Sequence, residues 1–83
     1  MKKKTLNITI SGEIATGKSR ILHIVRDYLV GNGFEVEQVF NADHPTKENF
    51  DKVIGYHLDD AIESIKSNSK IVISEVQLNR KST

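Results

Sequence analysis

Residues 10–20, ISGEIATGKSR, leave few folds open. An apolar run enters the segment and an amphipathic run leaves it. Between them lie Gly12, Ala15 and Gly17, followed at once by Lys18 and Ser19. Such a loop lets backbone approach closely where a strand hands over to a helix.

The flanks predict those two elements. In residues 6–10, LNITI, Leu6, Ile8 and Ile10 alternate with Asn7 and Thr9, a period of two. After the loop, Ile21, Ile24, Val25, Tyr28 and Leu29 fall at i, i+3, i+4, i+7 and i+8, one stripe of a helix. Arg20, His23, Arg26 and Asp27 take the other side. The helix is expected from about Gly17 to Val30, with Gly31 or Gly33 as its left-handed stop.

Residues 34–40, FEVEQVF, predict a second strand with one wet face, an edge strand. The polar loop NADHPTKEN contains a proline that no helix interior tolerates. From about Thr46 or Asn49, helical spacing returns through Phe50, Val53, Ile54, Leu58, Ala61, Ile62 and Ile65. Gly55 inside that helix costs about 1 kcal/mol relative to alanine. Residues 71–78, IVISEVQL, carry three consecutive apolar residues and predict a central strand covered on both faces.

The sum is one α/β domain over residues 1–83, ordered β-α-β-α-β. Alternation of this kind implies a parallel sheet with right-handed crossovers. A central third strand gives the order 2-3-1, with one helix on each face. Tyr28, Phe34, Phe40, Phe50 and Tyr56 are expected mostly in the core.

Gly12-Glu13-Ile14-Ala15-Thr16-Gly17-Lys18-Ser19 fits G-x-x-x-x-G-K-[ST]. A loop of this length opening a helix can turn successive backbone N–H groups into one concavity. The helix N-terminus adds unpaired N–H groups and partial positive charge. The lysine reaches the outer phosphates of a nucleotide, and the next hydroxyl binds Mg²⁺. Gly12 allows the turn out of the strand, and Gly17 allows backbone to approach phosphate.

Through ITISGEIATGKS the chain resembles the P-loop NTPases, in particular the N-terminal half of small nucleotide and nucleoside kinases and of AAA-type ATPases. Ala15 departs from the glycine common at its position by one methyl group. The resemblance implies Mg²⁺-dependent binding of ATP or another nucleoside triphosphate. It also implies a carboxylate at the end of the third strand, holding Mg²⁺ through water. Glu75, after IVIS, takes that place, or polarises an attacking water. Aspartate is the usual residue there. Asp43, after the second strand, matches the acceptor-activating acid of some nucleoside kinases; the alternative is that it only organises the turn.

Two functions stay open. One is an NTPase or phosphotransferase, slow alone or completed by a partner. The other is a nucleotide-binding regulator, an interaction module or a shortened kinase-like paralogue. In kinase-like members the lid and its arginines follow the third strand; here five residues follow it, and Arg20, Arg26 and Arg80 are not placed like lid arginines.

Composition narrows the rest. Charged residues are 28% and net charge is +1, so nothing general points to nucleic acid. Lys2, Lys3 and Lys4 read as a solvated end. Cysteine is absent, which removes disulfides and thiolate metal sites. His23, His44 and His57 show no metal-ligand spacing; His23 is expected exposed, His57 beside the second helix's stripe. No signal peptide or membrane span is read, and the default compartment is the cytoplasm. A bare first-strand edge predicts a homodimer or a larger protein partner there.

Overall fold

The computed structural model describes residues 3–13 and 16–77. It holds three helices: α1 (Lys18–Gly31), α2 (Lys47–Ile54) and α3 (Leu58–Asn68). Both α2 and α3 pack on α1.

The first helix falls within one residue of its expected bounds. Its stop is Gly33, at φ 85°. The Asn32 side chain donates to the Tyr28 carbonyl at 2.7 Å, and the Gly33 and Phe34 amides donate back to the Val30 and Leu29 carbonyls. Left-handed glycine just past the last turn lets these otherwise orphaned carbonyls be satisfied.

The second helix is two helices. Thr46 caps α2 by accepting the Asn49 amide at 3.1 Å. Before α2, the Asn41 side chain accepts from the Asp43 and His44 amides, so Asn41 organises that turn and Asp43 only contributes an amide to it. The α2 ladder ends at Gly55, whose amide bonds the Asp51 carbonyl. His57 then turns left-handed, at φ 50°, and restarts the chain as α3. The local weakness that Gly55 brings to a continuous helix is resolved as a break. Asp59 and Asp60 in the first turn of α3, and Lys66 in its last, complement its dipole.

The expected α/β architecture is overturned: among the described residues there is no strand, and so no parallel sheet, no 2-3-1 order and no helix on each of two faces. Residues 6–10, 34–40 and 71–77 run without a ladder; Leu78 lies outside the described residues. Strands exist only in pairs. Parallel pairs demand long crossovers and helices on both faces. Here both later helices are spent on α1, and the apolar side chains of the three runs stay in solvent apart from Ile10 and Phe40, which are half-buried. Leu6 is 83% exposed, and Ile73, expected at the centre, is 89% exposed. The first-strand edge from which a partner was expected is therefore not formed among the described residues. Lys3, ahead of the first run, does pair with Glu35 of the second, at 2.8 Å, in an exposed contact worth little.

The buried apolar core is Phe50 and Ile54 on α2. Phe40 is half-buried beside it, whereas Tyr28, Phe34 and Tyr56 are exposed, against expectation. Accessible surface is 7989 Å², whereas a compact chain of 9.3 kDa has about 5,000 Å². Little apolar burial is therefore available, and ion pairs at the α1–α2 junction matter more than usual.

That junction uses the side of α1 expected in solvent. Arg26 is only 10% exposed at its side chain. It lies 2.6 Å from Asp51 and 2.8 Å from Asp27, and donates to Gln38 at 2.9 Å. Its guanidinium also lies 5.7 Å from the centre of the Phe50 ring. Burial alone lowers the Arg26 pKa; its hydrogen bonds to Asp27 and Asp51 outweigh this and leave it raised. His23, 12% exposed rather than solvated, stacks on Phe50 with its ring 3.4 Å from Asp27 and 3.8 Å from Asp51.

Asp51 gives this junction a pH dependence. The hydrogen bond from Lys47 holds its carboxyl below the ordinary carboxylate range. Partial desolvation opposes this, and the Arg26 charge adds to it. A carboxyl whose folded pKa is depressed stabilises the fold above its unfolded value, near 4, and that contribution is lost as pH falls through the folded pKa. Asp51→Asn is therefore expected to lower the urea midpoint at pH 6–7, and the gap to the wild type is expected to close on titration below pH 4. A gap that stays constant, or widens, across that range would show that the Asp51 charge contributes nothing.

Candidate functional site

The candidate site is the loop that opens α1. Ile14 and Ala15 lie outside the described residues; Gly12, Glu13, Thr16, Gly17, Lys18 and Ser19 are described. The Thr16 hydroxyl donates to the Glu13 carbonyl at 2.9 Å. A Cβ on Gly12 would stand 2.8 Å from that same hydroxyl. Gly12, Glu13 and Thr16 thus close on one another, and a side chain at Gly12 would push the Thr16 hydroxyl out of its place on the Glu13 carbonyl.

Gly17 occupies the N-cap position of α1 in the left-handed region, at φ 88° and ψ 18°. It has no side chain to accept the first helical amides, and no acidic residue stands in the first turn. Those amides and the positive end of the dipole are left for something else to satisfy. α2 differs, since Thr46 caps it.

The Lys18 ammonium folds back over the loop and donates to the Glu13 carbonyl at 3.4 Å. A long, weak bond of this kind to a neutral oxygen is readily exchanged for a charged one. Ser19 lies half-buried one residue into α1. The loop thus gathers one cation, one hydroxyl and the open end of a helix.

The last turn of α3 backs this loop. Ile65 sits where a Gly17 side chain would go: a Cβ there would lie 2.5 Å from both Cγ1 and Cδ1 of Ile65. The Ser69 hydroxyl donates to the Thr16 carbonyl at 2.9 Å, across 53 positions of sequence. Neither residue was singled out by the sequence. Helical spacing placed Ile65 on an apolar face but could not say what that face meets, and a serine after a helix is too common to signal anything.

Gly17 therefore carries two demands, a backbone region and an empty space. Gly17→Ala is expected to destabilise the fold by about 1–3 kcal/mol from the left-handed backbone alone, with the Ile65 contact adding to it. Chemical denaturation measures this. An unchanged midpoint would mean that Gly17 is not held in the conformation described.

Asp43 and Glu75 do not join the loop through a sheet. Asp43 is exposed in the turn before α2. Glu75 lies in the exposed run 71–77, with no side-chain hydrogen bond or ion pair among the described residues. The strand adjacency that was to carry it to Ser19 is not formed. Arg80 lies outside the described residues. Among the described residues no three histidine, aspartate or glutamate side chains gather as a metal site. No described helix is long and apolar enough to cross a membrane.

Comparison with protein-family models, with curated proteins and with solved structures finds no match.

Proposed function

We propose that the chain binds a nucleoside triphosphate, ATP in the first instance, with Mg²⁺, through Gly12–Ser19. One observation carries the reading. The only G-x-x-x-x-G-K-S run of the sequence opens a helix whose first amides have no side-chain cap, and its lysine is folded over the loop. In this reading the amides around Gly17 cradle phosphate oxygens, and Lys18 leaves Glu13 for the outer phosphates.

The residues fit Mg²⁺ as phosphate-bound ion rather than as a caged one. Mg²⁺ keeps most of its waters and takes one or two protein oxygens beside the phosphates of its nucleotide. Ser19 supplies one hydroxyl. Mg²⁺ would neutralise part of the phosphate charge when bound.

Between turnover and binding alone, one observation favours the binding module. Fast phosphoryl transfer calls for cationic stabilisation beyond the loop lysine. Arg26, on the same helix, is committed to Asp27 and Asp51, which leaves the half-buried Arg20 beside Ser19 as the one arginine of α1 with no ion pair among the described residues. Isothermal calorimetry with Mg²⁺–ATP, beside phosphate release under the same conditions, tests both halves. Binding with no release above the uncatalysed background supports the module. No binding at millimolar nucleotide overturns the proposal.

A further inference from the structure

The phosphate reading leaves open what holds the loop's amides in place before a ligand arrives. The contact between Ser69 and Thr16 answers that. Resting on that reading, we infer that Ser69 is a positioning residue, fixing the peptide plane between Thr16 and Gly17 so that the Gly17 N–H faces the ligand.

The geometry is that of one planar unit. In a trans peptide the carbonyl of one residue and the N–H of the next point in opposite directions within the same plane. There is no cis peptide bond among the described residues. The Ser69 hydroxyl, 2.9 Å from the Thr16 oxygen, pins that oxygen towards α3. The Gly17 N–H must then point away from α3. Ser69 is itself fixed, since its own amide closes the last turn of α3 on the Ile65 carbonyl at 2.8 Å.

Ile65 makes the pin necessary and effective at once. Its side chain fills the space beside the Gly17 α-carbon, so the peptide cannot swing that way. Glycine otherwise rotates more freely than any other residue. The last turn of α3 thus restrains a glycine that the loop requires but cannot itself hold. A donor on the Thr16 carbonyl also polarises the peptide, which strengthens the Gly17 N–H as a donor to an anion. Pre-set donors bind more tightly because less freedom is lost on binding.

The test uses the full chain, two variants and two readouts. Ser69→Ala removes the hydroxyl. Ser69→Thr keeps it, and the extended backbone of Ser69 (φ −132°, ψ 143°) accepts a β-branched side chain. The first readout is the carbonyl-carbon chemical shift of Thr16 in ligand-free protein. It is expected to move in Ser69→Ala and to stay in place in Ser69→Thr. The second is Mg²⁺–ATP affinity by calorimetry. Ser69→Ala is expected to weaken it about 3–10-fold, the worth of about one hydrogen bond, and Ser69→Thr to stay within about twofold. Far-UV circular dichroism shows whether each variant keeps its helices.

A Thr16 shift that ignores Ser69→Ala overturns the inference, whatever the affinities. A shift that moves while affinity stays at the wild-type level also overturns it, since the contact then positions nothing that binds. Wild-type protein that binds no Mg²⁺–ATP overturns the phosphate reading and the positioning role with it. In that case the Thr16 shift still reports whether the structural contact exists.

Discussion

Lys18→Ala is expected to weaken Mg²⁺–ATP binding by about 100-fold or more while leaving the helices intact. The ammonium is the one cation within the loop itself, and its contact here is a 3.4 Å bond to the Glu13 carbonyl. Phosphate offers it a charged acceptor in place of a neutral one. A hydrogen bond to a charged group contributes about 1.5–3 kcal/mol, and a multiply charged phosphate chain engages more than one N–H of the ammonium. The fold loses little by comparison. Lys18 is not one of the buried core residues, which are Phe50 and Ile54, and replacing a side chain away from core or cap features stays within about 0.5 kcal/mol. Calorimetry on both proteins, with circular dichroism to confirm matching helicity, decides the matter. Equal affinities would show that any nucleotide binds elsewhere, and the reading of Gly12–Ser19 would fall with them.

The part of the fold that was legible in the sequence is the part decided locally. α1 shows a 3.6-residue stripe from Ile21 to Leu29 and a glycine stop, and both are properties of the segment alone. The start of α2 was legible for the same reason, through Thr46 and the proline before it. The interruption after Ile54 was not. A left-handed histidine is a conformation few residue types announce, and Gly55 signals a weak point without saying whether the chain breaks there.

The three apolar runs misled because strand formation is not a local property. Val and Ile in alternation fit a pleated, half-buried surface, and that surface must be supplied by other parts of the chain. IVISEV meets no such surface here. The site divides along the same line. Gly12, Gly17, Lys18 and Ser19 are neighbours in sequence and stay neighbours in space. Ser69 and Ile65 reach them only through the packing of α3 on α1. Glu75 was attached to the site through a sheet, so its connection failed with the sheet. His23 and Arg26 look like solvated residues on a helical wheel, because nothing in α1 reveals that α2 will bring Asp51 and Phe50 to that side.

Phe50 is where that packing is most concentrated, so Phe50→Ala is expected to unfold the chain at room temperature. Phe50 is 5% exposed. His23 stacks on one face at 6.1 Å and 17°, Phe40 and His44 meet it edge-on, and the Arg26 guanidinium lies 5.7 Å from its centre. Removing it costs the transfer energy of the ring and leaves a hole between α1, α2 and residues 40–44. Such truncations cost about 3–5 kcal/mol. Domains hold about 0.05–0.15 kcal/mol per residue, and a chain with so much of its surface in water belongs near the low end, about 4 kcal/mol for this length. The loss is thus comparable with the whole stability. The charged groups would suffer as well, because Arg26 and Asp51 are kept close to one another by the ring they flank. Phe50→Leu keeps an apolar side chain of smaller volume, so it is expected to cost less and to stay folded. Far-UV circular dichroism and amide dispersion in a proton NMR spectrum separate the two variants. A Phe50→Ala protein with wild-type helicity and wild-type urea midpoint would show that the α1–α2 junction is not what holds this chain together.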